Sequence, residues 1–67
     1  MREFTYNVEW IGDYYNAATT VIIPTDDADA AIAAAERQML AQYGWDMGRT
    51  ATISVNAELV NVEKVAA

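Results

Sequence analysis

Residues 4–10 alternate strictly, with Phe4, Tyr6, Val8 and Trp10 on one side and Thr5, Asn7 and Glu9 on the other. A period of two built from aromatic and β-branched residues predicts a half-buried strand. Gly12-Asp13 follows, and glycine at the first central position suits a type II′ hairpin turn, because it reaches the required φ without steric cost. A second strand is therefore expected over residues 14–23. A two-residue loop at Gly12-Asp13 sets Ile11 opposite Tyr14, Trp10 opposite Tyr15, Val8 opposite Ala17, Tyr6 opposite Thr19 and Phe4 opposite Val21. Directly opposed residues share a face. Each large apolar residue of the first strand thus meets an apolar residue or a threonine. The other face collects Glu3, Thr5, Asn7, Glu9, Asn16, Ala18 and Thr20. A slip of one residue would mix the two sets.

The period changes after Pro24, which ends the second strand by removing an amide donor. Thr25 or Asp26 is expected to cap a helix, with Asp26, Asp27 and Asp29 in its first turn, where the macrodipole favours negative charge. The run to Tyr43 is rich in alanine, the best helix former, and Gly44 fits the position just past a helix end. At 3.6 residues per turn, Ala28, Ile32, Ala35, Met39 and Tyr43 form one stripe, widened by Ala31, that would pack on the hairpin's aromatic face. Arg37 lies opposite, in water, with Asp26, Asp27 and Gln38 nearer that side. Residues 45–49 read as a loop. Residues 50–65 read as strand, with Ile53, Val55, Ala57 and Leu59 in one phase and Val60 and Val62 in the other. A β-bulge near Leu59-Val60 accounts for the change of phase, and a tight turn at Asn56-Ala57, giving a fourth strand, is the alternative.

The predicted fold is α+β, a ββαβ chain in which an antiparallel hairpin and a third strand form one sheet with a single helix packed on one face. A right-handed crossover places the third strand beside the first, in the order 2-1-3. The length of 67 residues makes residues 1–67 one domain at most. A domain this small buries only about 60% of the surface its unfolded chain exposes, and such scaffolds usually add disulfides, a metal or self-association. The chain has no cysteine and no histidine. Tight aromatic packing and a homo-oligomer remain as the open alternatives.

Composition then narrows the chemistry. Absence of histidine and cysteine removes the usual general base, the strongest nucleophile and the soft metal ligands. No glycine-rich phosphate loop is present. Helix capping accounts for the acidic cluster at Asp26, Asp27 and Asp29, whose spacing matches no calcium loop. The expectation is a protein that is not an enzyme and uses no cofactor. The net charge is −6, and the four basic residues, Arg2, Arg37, Arg49 and Lys64, are scattered. Direct binding of nucleic acid needs several clustered cations, so it is not expected. No apolar run approaches the roughly 20 residues of a membrane helix. No basic stretch followed by an apolar run marks a signal peptide, and a cytoplasmic location is the default.

What remains is surface. Glu3, Glu9 and Glu58 are expected on the open face of the sheet and suit a protein partner. Ile11 and Tyr14, opposed at the turn, and Ile22 fall on the polar side of the hairpin. Leu40 and Ala33 lie on the helix flank, with Ala30, Ala34 and Ala41 outward, and Trp45 and Met47 lie in the following loop. Clusters of exposed apolar side chains mark contact surfaces. Candidate partner-binding residues are therefore Ile11, Tyr14, Trp45, Met47, Glu3, Glu9, Glu58 and Leu40.

The stretch Val21-Ile22-Ile23-Pro24-Thr25-Asp26-Asp27-Ala28, continued by Ala31-Ile32 and Ala35, resembles the hairpin, acidic cap and Ala/Ile helix of small accessory proteins of bacteriophages and mobile elements. The resemblance implies no catalytic motif. The expected function is a small acidic interaction protein that binds a protein partner, and the resemblance implies that it is phage-encoded. A purely structural homo-oligomer and an inhibitor that mimics nucleic acid are the alternatives.

Overall fold

The computed structural model describes residues 2–47, 49 and 52–64. They form β1 (Arg2–Gly12), β2 (Asn16–Ile23), α1 (Ala28–Tyr43) and β3 (Thr52–Lys64). All pairings are antiparallel and the sheet order is β2-β1-β3, so the fold is α+β with one helix on one face, as the alternation and the crossover rule require. β3 is one long strand. Its register steps from Tyr6↔Leu59 to Thr5↔Asn61, which leaves Val60 as the extra residue of a bulge at the expected place. A second irregularity, between Ile11↔Ser54 and Gly12↔Thr52, makes Ile53 extra as well. Thr50 and Val65, expected at the ends of this strand, lie outside the described residues.

The hairpin turn sits one residue later than expected. Gly12 N–H donates to the Tyr15 carbonyl at 2.9 Å, so Asp13 and Tyr14 are the two central residues. Among the described residues only Gly44 has a positive φ, so the turn is not type II′ and Gly12 is not used for its left-handed freedom. Moving the turn by one residue moves the register by two. Trp10 pairs with Ala17, Val8 with Thr19, Tyr6 with Val21, Phe4 with Ile23, and Ile11 with Asn16 rather than Tyr14. Every residue keeps its expected face, because side chains alternate with a period of two.

Asp27, rather than Thr25 or Asp26, caps the helix, and its carboxylate accepts from Asp29 N–H at 2.9 Å. Of the three aspartates only Asp29 lies within the first turn. Gly44 closes the other end in the left-handed region, φ 66° and ψ 21°, with its N–H donating to the Leu40 carbonyl.

The buried helical stripe is Ala31, Ala35 and Met39, one residue per turn. Packing engages the middle turns, so Ala28 and Tyr43, expected in the core, are exposed at the two ends, and Ile32 is half-buried. Ala30 and Ala34, expected outward, pack against the core. Gln38, expected toward water, turns inward, because its amide donates to the Thr19 hydroxyl and to the Thr20 carbonyl at 3.2 Å. The Thr20 bond satisfies a carbonyl of the edge strand and fastens α1 to β2. Tyr6, Val8, Trp10, Val21, Ile23 and Met47 complete the buried core.

Candidate interaction surfaces

The helix-free face of the sheet is read directly from the pairing. Its central row is Glu3, Thr5, Asn7, Glu9 and Ile11 on β1. Thr20 and Glu58 flank Asn7, Ala18 and Asn56 flank Glu9, Ile22 and Asn61 flank Thr5, and Glu63 lies opposite Glu3. Glu3, Glu9 and Glu58 thus share one face, as expected, and Glu63 joins them. Among the described residues this face carries no lysine or arginine. Opposition of Glu3 and Glu63 is unfavourable, since like charges directly across a ladder repel. Glu9 and Glu58 are diagonal neighbours, roughly 7–8 Å apart by sheet geometry. Ile11 and Ile22 are exposed on the same face, and Tyr14 at the turn tip is 99% exposed.

The loop after the helix is the main departure among the candidate residues. Met47 is only 3% exposed and belongs to the core, so it is unavailable to a partner. Trp45 is half-buried, packs on the core and meets Tyr15 with ring centroids 5.3 Å apart. The Tyr15 hydroxyl also shares a hydrogen bond with the Thr52 hydroxyl, which ties the turn to the start of β3. Trp45 and Met47 thus close one end of the core. No periodicity governs a loop, so nothing in the local sequence separates a buried Met47 from an exposed one. Leu40 does remain exposed on the helix.

The helix side of β3 is only partly covered. Val55, Ala57, Leu59 and Val62 oppose Trp10, Val8, Tyr6 and Phe4, so they share the face on which the helix packs. Yet Val55, Leu59 and Val62 are 39%, 43% and 47% exposed, whereas Val21 and Ile23 on β2 are 5% and 8% exposed. The cause is width. A helix is about 10–12 Å across and strands are about 4.8 Å apart, so one helix covers about two strands. Gln38 fastens α1 to β2, and over β3 the helix leaves Val55, Leu59 and Val62 only partly covered while Ala57 packs against the core. Counting one helix against three strands is the signal by which the sequence could have shown it.

A shallow open cleft of about 320 Å³ lies among Asn16, Ala17, Ala18, Met39, Tyr43 and Trp45. It has no charged lining residue and no converging polar groups of the kind that orient a ligand. Among the described residues no three acidic side chains converge as a metal site. Among the described residues no helix is long and apolar enough to cross a membrane. Comparison with protein-family models, curated proteins and solved structures finds no match.

Proposed function

We propose that the chain is a small acidic, non-catalytic protein that acts in the cytoplasm by binding another protein through the helix-free face of its sheet. The observation that carries this is the composition of that face: four glutamates, Glu3, Glu9, Glu58 and Glu63, among Thr, Asn and Ser, with no cation among the described residues. A surface of one sign steers a partner of the opposite sign and fixes its orientation. The partner class is therefore a protein with a basic surface, and Tyr14, Ile11 and Ile22 supply apolar contacts at the margins. The resemblance to small phage accessory proteins fits the same role, occlusion of a surface on a host protein. The diagonal Glu9 and Glu58 also suit the narrower case in which that surface is the partner's nucleic-acid site.

A photo-crosslinking residue placed at Asn7, on this face, is expected to trap one defined protein in the cells that make the chain. The same residue at Ala41, on the helix exterior, should trap none. Glu9→Lys with Glu58→Lys should abolish the adduct, and a DNA or RNA duplex should suppress it only in the mimicry case. Equal adducts from both positions, or an adduct that survives charge reversal, would overturn the assignment.

A further inference from the structure

We infer that the outer edge of β3 is the seat of a second copy of this chain, joined by antiparallel pairing about a two-fold axis through Ala57. β3 runs for 13 residues at the edge of the sheet, and nothing among the described residues pairs with its outer side. A long unpaired edge is a template for another strand, and proteins usually blunt it with prolines, lysines, bulges or a cover. β3 has no proline, and its one lysine, Lys64, is at its end. Its two bulges, at Ile53 and Val60, bracket a regular run over residues 54–59. On the helix side this run presents Val55 and Leu59, both partly exposed, on either side of Ala57, which packs against the core. The other edge differs, because β2 has Pro24 just past its end and is fastened to the helix by Gln38.

The run is complementary to itself. With the axis at Ala57, Val55 meets Leu59 of the second copy, Ala57 meets Ala57, and Leu59 meets Val55. On the open face Asn56 meets Glu58 of the second copy, so no two carboxylates stand directly opposed within the run. Each side of such a contact is isologous, as a two-fold dimer demands. The regular run supplies six of the 13 residues of β3, and five of those six are exposed. A second copy would extend the three strands into one six-stranded sheet with both helices on the same face. The edge borders the acidic face and Glu58 belongs to both, but Ala57→Cys reads the edge alone and a cross-linker at Asn7 reads the face alone, so either assignment can fail by itself.

The absence of cysteine permits a direct test. Sedimentation of the full chain from about 1 μM to about 1 mM is expected to show a monomer giving way to a dimer. Under mild oxidation Ala57→Cys should form a disulfide dimer rapidly and nearly completely, since opposed Cβ atoms in a ladder lie about 4.5–5.5 Å apart and disulfides need little less. Ala18→Cys, exposed on the open face of β2, should cross-link only at the slow rate of random collision. Hydrogen exchange should slow with rising concentration in residues 54–59 and not in β2. A chain that stays monomeric throughout, or a dimer in which Ala57→Cys cross-links no faster than Ala18→Cys, would overturn the assignment.

Discussion

Tyr6 is buried in the sheet while its phenol faces the acidic entrance of the helix. Burial raises its pKa, and the charges of Asp26 and then Asp27 raise it further. The folded protein therefore holds the phenol proton more tightly than the unfolded chain does. The stabilisation is complete below the unfolded value of about 10 and is lost as pH rises through the higher folded value. Stability should thus begin to fall near pH 10, and Tyr6→Phe should reduce that fall while changing little at neutral pH. Urea midpoints measured from pH 8 to pH 11 would show it, and parallel pH profiles for the two proteins would count against it. At this scale the sequence was legible where residues alternate and illegible where they do not. Tyr6, Val8 and Trp10 declare their burial by their spacing. Met47 and Trp45 sit in a loop, and their burial depends on the Gly44 turn directing the chain back across the end of the core.

Among the elements, α1 is defined by its ends. Gly44 adopts φ 66°, and a Cβ built there meets nothing within 4 Å. The cost of Gly44→Ala is therefore backbone strain alone, about 1–2 kcal/mol, and Gly44→Asn should cost less. Chemical denaturation would measure both; a loss well above that range would mean that the following loop, with Trp45 and Met47, is displaced as well. The hairpin shows how far pattern reaches. Hydrophobic alternation decides which face a residue takes, but registers that differ by two residues satisfy it equally. The turn at Asp13-Tyr14 instead of Gly12-Asp13 was invisible for that reason. The bulge at Val60 was visible, because it changes the phase of the apolar residues along one strand.

For the whole molecule the governing quantities are width and charge. One helix cannot fully roof three strands, so the core is asymmetric, more completely sealed over β2 than over β3. This follows from an element count rather than from any residue's identity, which is why the alternation along β3 does not show it. The net charge of −6 acts on the two proposed contacts in opposite directions. Two copies repel, so self-pairing should tighten as the Debye length shrinks from roughly 30 Å at 0.01 M salt to roughly 3 Å at 1 M. A basic partner on the acidic face should be released over the same range. Sedimentation and cross-linking yield followed across one salt series would separate the two contacts, and a common direction of change would show that they are not independent.

Val60 has an evolutionary consequence as well. Like Ile53 it has no counterpart on β1, and it lies between Leu59 opposite Tyr6 and Asn61 opposite Thr5. Loss of its codon would shorten the chain without turning any other side chain to the opposite face, whereas loss of a single codon within residues 55–58 would turn the residues between the gap and the nearer bulge to the opposite face. The same deletion would straighten the edge over the whole of residues 54–64. Val60 thus limits how much of the strand another chain can copy, and a lineage that dropped it would keep its fold and acquire a stickier edge.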